Sequence, residues 1–352
     1  EGAALAEARA WLAAAERPLA IAGVDAVNDA AAEAVRAFVR ATGAPLVTTY
    51  KGKGLLDEDD PAALGAAGLS PLADRHLLPL VRAADAIVLL GYDPIEMRIG
   101  WRDPWSASSR VIEVSPVVRT HGMHSVGITL EGSVAATVPC LLDGLPRRAV
   151  WPGGEPARVR AALAAAFGPE NGFGPARVFH TLRDVLPRDV VVTADSGAHR
   201  ILLSQIWRCH APRTMLQSSA LCTMGCAVPI AAGHKLARPD VPVLAFVGDA
   251  GLLMQLGDLT TVRDMGLPLP IVVLVDESLA LIELKQRGSQ LANVGVDFAG
   301  TDFPALAAAL GGHGVFVDDA GTLAREARAA LERPTFTLIA ARIGRRAYDG
   351  KF

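Results

Sequence analysis

Short unbroken apolar runs alternate along this chain with longer stretches in which Ala, Leu and Val return every three or four residues between charged positions. The runs at 19–24, 44–49, 86–90 and 110–114, and again at 189–194, 241–247, 269–275, 314–317 and 335–343, have the length and the Val, Ile and Leu content of buried strands. The periodic stretches at 3–16, 29–41, 71–84 and 133–142, and then at 176–186, 199–207, 223–237, 252–265, 302–310 and 322–331, predict helices. Strands that alternate with helices demand a parallel sheet covered on both faces. The expected fold class is therefore α/β, with doubly wound parallel sheets carrying helices on both faces.

The rhythm breaks once. Residues 146–174 turn to Pro and Gly around a single Ala-rich helix, which is linker composition. This divides the chain into a Rossmann-like domain at 1–145, a linker with one helix at 146–174, and a second α/β domain at 175–352. A length of 352 residues suits two domains, and 51% hydrophobic with only 5% aromatic residues implies interiors of Ala, Val and Leu. No internal repeat interrupts either half.

Charge and cysteine content narrow the partners. A net charge of -3 with Arg, Asp and Glu interspersed leaves no basic stripe for a phosphate backbone, so nucleic acid is not an expected partner. No apolar run approaches the roughly 20 residues that a bilayer requires, and no membrane association is expected. Cys140, Cys209, Cys222 and Cys226 read as reduced thiols, which suggests the cytoplasm. A start at Glu1 hints at a cut or renumbered molecule.

The candidate chemistry begins where the run 241–247 meets Gly248-Asp249-Ala250-Gly251 and then a helical stretch. Ligands of open α/β sheets bind beyond the carboxyl ends of strands, and a Gly-rich turn before a helix offers backbone N–H groups to an anion. A second carboxylate, Asp276, stands 27 residues on, a separation that fits one helix and the neighbouring parallel strand. Two hard oxygen ligands beside an anion cradle describe a Mg²⁺–diphosphate site. A Gly-Asp pair at a strand end also occurs in doubly wound sheets of other function, so on these residues alone both readings stand.

Gly248-Asp249-Ala250 followed by Val275-Asp276-Glu277-Ser278 resembles the motif of the thiamine-diphosphate-dependent enzymes, Gly-Asp-Gly with Asn-Asn further along. The resemblance implies that Asp249 and Asp276 are side-chain ligands of Mg²⁺, that Ser278 gives a backbone carbonyl, and that Ala250 and Gly251 offer N–H groups to the diphosphate. Two departures stand out. Ala250 replaces a Gly that can take positive φ freely, and Asp276 replaces an Asn, adding negative charge beside metal and diphosphate.

Two further segments carry the likeness. Asp195-Ser196-Gly197-Ala198-His199 is similar to the family's Asp-x-Gly-Gln-His turn, which makes His199 a diphosphate contact; a solvent-facing histidine at a helix start is the other reading. Leu221-Cys222-Thr223-Met224-Gly225 resembles Leu-Gly-Thr-Met-Gly, implying that the Cys222 carbonyl meets the aminopyrimidine and that Met224 props the bent cofactor. A core methionine is the alternative for Met224. In the first half, Thr48–Gly54, Gly65–Ser70 and Gly91–Glu96 resemble the central domain of the acetolactate synthase group. The Gly91–Glu96 turn is most like the catabolic branch, so FAD is not favoured. Lys51-Gly52-Lys53-Gly54 lacks the spacing of a Walker loop.

The resemblance implies a carboligase or decarboxylase acting on a 2-oxoacid, with pyruvate to 2-acetolactate plus CO₂ as the named example. It also implies a homodimer or tetramer, and a pyrimidine-binding domain, joined or separate, that carries the glutamate activating the thiazolium ring; the chain by itself would then be incomplete for catalysis. Lys285 stands where acetolactate synthases carry a Trp, and its ammonium could meet a substrate carboxylate or a thioester-linked phosphate; a solvated helix lysine is the other, preferred reading. Another lyase or decarboxylase of the family, acting on an aldehyde or a 2-hydroxyacyl-CoA, stays open, as does a non-catalytic Rossmann-like binding protein. Zinc on Cys209, His210, Cys222 and Cys226 is disfavoured by a spacing that fits no common finger. The tail at 345–352 could close over the site.

Overall fold

In a computed structural model, which describes residues 2–97, 99–218 and 221–352, the chain forms two compact units. The first takes the chain as far as Ala166 and adds Arg208–Arg213; the second comprises Phe167–Trp207 and Thr214–Phe352.

The first unit runs α1 (Ala3–Ala14), β1 (Pro18–Ala22), α2 (Val24–Asn28), α3 (Ala32–Thr42), β2 (Leu46–Thr49), β3 (Ala63–Ala67), α4 (Pro71–Ala83), β4 (Ala86–Leu90), β5 (Arg110–Ser115), β6 (Ile128–Glu131), α5 (Val134–Leu142) and α6 (Glu155–Ala166). Its six strands are parallel in the order β3-β2-β1-β4-β5-β6. The central pair β1 and β4 is buried along its whole length, with Ile21 in register with Val47 on one side and Leu89 on the other. Serine caps set two helix starts: Ser70 Oγ accepts the Ala73 N–H and Ser133 Oγ accepts the Ala136 N–H, each at 3.2 Å.

The apolar runs do not announce β3 and β6. Both are edge strands: β3 is built of Ala, Gly and one Leu against α4 and α6, and β6 buries only Ile128. The stretch 146–166, expected within the linker, packs on this unit. The Trp151 indole is buried and donates to the Pro18 carbonyl at 2.7 Å, and Arg160 donates to the carbonyls of Glu58, Asp59 and Asp60.

The second unit runs α7 (Pro175–Val185), β7 (Val191–Ala194), α8 (Ala198–Ile206), β8 (Met215–Gln217), α9 (Ala227–Ala237), β9 (Val243–Gly248), α10 (Asp249–Leu253), α11 (Leu256–Asp264), β10 (Leu269–Val275), α12 (Ala280–Gly288), α13 (Phe303–Ala309), β11 (His313–Val317), α14 (Ala320–Ala330) and β12 (Phe336–Arg342). All six strands are parallel, in the order β11-β12-β10-β9-β7-β8. The helix expected over 252–265 is two helices, α10 and α11. The helix expected from 223 starts only at Ala227, because Gly225 takes φ +78° and the loop before it is held by Asp195.

Strand order fixes where a ligand can sit. After β7 the chain moves outward to β8, then crosses back so that β9 lies on the other side of β7. The loops leaving β7 and β9 therefore diverge, and the crevice between them is the topological switch point of this sheet.

Candidate functional site

A cleft of about 230 Å³ opens at that switch point. It draws on five segments: Ser196–His199 after β7, Cys222 and Met224 before α9, Asp249–Gly251 after β9, Asp276 and Ser278 after β10, and Tyr348 near the end of the chain. His199, Cys222, Met224, Asp249, Ala250, Gly251, Asp276 and Ser278 thus face one cavity. Lys285 does not. It is exposed one turn further along α12, which presents Ala280, Leu281 and Ile282 to the cleft instead.

Asp249 and Asp276 are nearly closed to solvent, at 3% and 6% exposure. Asp249 Oδ1 accepts the Ala250 N–H at 2.8 Å, while Oδ2 accepts the N–H groups of Asp276 at 3.2 Å and Glu277 at 2.7 Å. One carboxylate therefore ties the tip of β9 to the tip of β10. Glu277, at φ +55°, makes the left-handed step that turns both N–H groups toward it. Asp276 Oδ1 in turn accepts the Ser278 N–H at 3.3 Å.

Burial raises the carboxyl of Asp249, and burial followed by the charge of Asp249 pushes Asp276 up to about 8. A raised Asp276 carboxyl holds its proton more readily, so the Asp that replaces an Asn adds less than a full charge before a cation arrives. Two oxygen ligands of this kind suit a hard divalent ion. Ala250 lies in the first turn of α10 and has no positive φ, so the turn that glycine would serve elsewhere is made here by helical backbone.

The anion side of the cleft rests on His199. Its ring is buried, and burial pulls the imidazole down to about 4, leaving it neutral at pH 7. His199 Nε2 and Ser196 Oγ are buried without a protein hydrogen-bond partner, and both residues line the cavity. Buried polar atoms almost always find a partner, so this pair marks where a polar ligand group belongs. Gly197 makes room for the ring, since a Cβ there would lie 2.7 Å from His199 Cε1.

Sequence reasoning passed over two residues that hold the site. Asp195, fully buried, accepts the N–H groups of Gly225 at 2.8 Å and Cys226 at 3.1 Å, and thereby fixes the 221–226 loop against β7. Its place at the head of the Asp-x-Gly turn was the available signal. A Cβ on Gly251 would lie 2.3 Å from Asp195 Oδ2. Because that oxygen is already held by backbone, Gly251→Ala is expected to cost about 2 kcal/mol of stability in urea denaturation; an unchanged midpoint would show that Asp195 can move aside.

Tyr348 is the second. It is buried, lines the cleft, and has its phenol raised by burial and then by Asp276 and Asp249. The tail around it is tied down by Arg346 to Glu283 at 3.5 Å and by Asp349 to Arg287. Cys222 takes φ +50°, a conformation that costs a β-carbon roughly 1 kcal/mol. Cys226 Sγ lies 3.4 Å from Asp195 Oδ1, and Cys209 belongs to the first unit, so no four-ligand cysteine–histidine set forms among the described residues.

Comparison with known proteins agrees with this geometry in kind. The family model described as thiamine pyrophosphate enzyme, C-terminal TPP binding domain, matches residues 195–341, and that of the thiamine pyrophosphate enzyme central domain matches residues 5–141. The chain is similar to the acetolactate synthase large subunit of Parasynechococcus marenigrum, at 28% identity over 92% of this chain and 54% of the relative. It is 30% identical to the probable 2-ketoarginine decarboxylase AruI of Pseudomonas aeruginosa, over 93% of this chain and 58% of the relative. The catabolic acetolactate synthase of Raoultella terrigena matches at 28%, over 91% and 58%. The chain therefore spans little more than half the length of these relatives.

Proposed function

Since the chain belongs to the thiamine pyrophosphate enzymes, in the acetolactate synthase-like family, we propose that its switch-point cleft holds thiamine diphosphate through Mg²⁺ for decarboxylation of a 2-oxoacid and carbon–carbon bond formation. The observation that carries this reading is the juxtaposition of two buried carboxylates, Asp249 and Asp276, with the unpartnered His199 Nε2 and Ser196 Oγ in one cavity.

Asp249, Asp276 and the Ser278 carbonyl would hold the cation, which would compete with the proton that burial favours on Asp276. The Ala250 and Gly251 N–H groups at the start of α10 would serve the diphosphate. Neutral His199 donates or accepts one hydrogen bond there without adding charge. The Cys222 carbonyl and the Met224 side chain take the organic half of the cofactor, Met224 by bulk and adaptability. When bound, thiamine diphosphate supplies the carbon nucleophile and the electron sink for this chemistry. Ala280, Leu281 and Ile282 give the substrate end of the cleft an apolar wall, and Lys285 stays in solvent.

FAD is outside this reading. At the switch point of the first unit, between β1 and β4, Glu96 is buried with its carboxylate accepting the Val24 N–H at 3.1 Å and the Thr49 hydroxyl at 2.8 Å. Arg119 binds both Asp25 and Asp93 beside it. An internal carboxyl group thus occupies the place where a dinucleotide's phosphates would approach.

Pyruvate is the first substrate to try, forming 2-acetolactate and CO₂; a bulkier 2-oxoacid follows from the relative that decarboxylates 2-ketoarginine. A homo-oligomer and a pyrimidine-binding domain, joined or separate, complete the proposal, as does a cytoplasmic location. No described helix is long and apolar enough to cross a membrane. The test is calorimetry of the chain with thiamine diphosphate, with and without Mg²⁺, followed by CO₂ release from a 2-oxoacid panel by the natural gene product. Mg²⁺-dependent binding of one cofactor per chain is expected. No heat at millimolar cofactor would remove the thiamine assignment, and binding without turnover of any 2-oxoacid would remove the reaction alone.

A further inference from the structure

The first unit carries a group of side chains that the cofactor cleft does not use. His210 Nδ1 lies 2.9 Å from Asp57 Oδ1 and 3.6 Å from Asp59 Oδ2, and one ligand atom from each of the three residues falls within 4.8 Å of the others. Among the described residues no other group of three or more His, Cys, Asp and Glu side chains converges in this way. We propose that Asp57, Asp59 and His210 form a site for a borderline divalent transition ion, with Zn²⁺ as its type, that clips the 208–213 segment to the loop before β3.

Ligand spacing supports this. Two bonds of about 2.1 Å to one ion separate their ligand atoms by about 3.0 Å at a right angle and about 3.4 Å at the tetrahedral angle. The two distances from Nδ1 bracket that range. An imidazole nitrogen with two carboxylate oxygens suits Zn²⁺, Mn²⁺ or Co²⁺, whereas Mg²⁺ and Ca²⁺ prefer oxygen throughout. Binding replaces the proton that Nδ1 shares with Asp57 by the ion, and three protein ligands leave a position for water.

The scaffold behind the ligands is tied together by hydrogen bonds. Glu58 N donates to the Cys209 carbonyl at 3.1 Å, and Cys209 N returns a bond to Glu58 Oε2 at 2.8 Å, so the residue between the two aspartates is joined backbone-first to the residue before the histidine. Lys53, buried at 4% exposure, holds both Glu58 oxygens at 2.9 and 2.8 Å. Gly54 brings the backbones together, since a Cβ there would lie 2.1 Å from the Ala211 carbonyl oxygen. These contacts preset the ligands, which lowers the ordering cost of binding. Arg208 Nε also lies 3.6 Å from Asp59, at Oδ1, whereas His210 lies near Oδ2.

The test uses the whole chain, stripped with chelator and titrated with ZnCl₂, and with CoCl₂ for its visible absorption, in excess Mg²⁺. One Zn²⁺ per chain at micromolar Kd is expected, with a Tm rise of a few degrees. This binding should survive Asp249→Ala, which removes the other candidate metal site and so separates the two proposals. It should weaken at least tenfold in His210→Ala and in Asp59→Asn, with loss of the cobalt bands. Asp59 is exposed, so its variant keeps the test open should His210→Ala fail to fold. Wild-type protein that takes up no Zn²⁺, or variants that bind it as tightly as wild type, would overturn the site.

Discussion

Asp249→Ala is expected to weaken Mg²⁺-dependent binding of thiamine diphosphate at least a hundredfold, on the order of 3 kcal/mol, while leaving the chain folded. The size follows from two roles lost together. A hard ion loses one of two carboxylate ligands, and the Asp276 and Glu277 N–H groups lose the oxygen that turns the second strand tip toward the first. Stability changes less, because the cost of burying Asp249, which raises its carboxyl, offsets part of what its three backbone hydrogen bonds contribute. Calorimetry with and without Mg²⁺, beside circular dichroism, checks this. Cofactor affinity within threefold of wild type would show that the ion, if bound, does not sit on Asp249.

The second expectation concerns pH. Asp276 is raised from an ordinary 3.8 to about 8 by burial and then by the neighbouring Asp249. A raised acid favours the folded state while protonated: this contribution is fully present below about pH 4 and is lost as the pH climbs through about 8. Metal-free protein should therefore lose stability across that window, with a slope of up to about 1.4 kcal/mol per pH unit from this group. Asp276→Asn cannot lose a proton, so the difference between variant and wild type isolates the group. Saturating Mg²⁺ should flatten the wild-type slope, because the ion takes the proton's place. Urea denaturation at pH 5, 6, 7 and 8 in chelator is the measurement, and parallel pH profiles for the two proteins would place the Asp276 carboxyl outside the buried environment.

Much of this architecture is written locally. The strand runs before Gly248 and Asp276, and the helices between them, come from apolar spacing that any short window of sequence contains. The pairing of Asp249 with Asp276 followed from that spacing because one helical stretch, here α10 and α11, and one adjacent strand consume the intervening residues. The strands β3, β6 and β8 were illegible for the opposite reason. They are short or at sheet edges, where neighbours rather than composition make a strand. Lys285 lies outside the cavity lining because a place in the motif does not say which residues of a helix reach the cavity, and here Ala280–Ile282 do.

By itself, then, the sequence determined the α/β class, the alternation of elements and the two acidic residues at consecutive strand tips, all of which depend on chemistry within a few turns of chain. The tertiary structure alone decided that β7 and β9 lie side by side, so that Ser196 and His199 meet Asp249. It also decided that Asp195 anchors a loop some thirty residues away, that Tyr348 returns from the far end of the unit, and that His210 meets Asp57 and Asp59. Burial, and with it the proton on Asp276 and the neutrality of His199, is a sum over atoms from many distant segments, and no local pattern carries that sum.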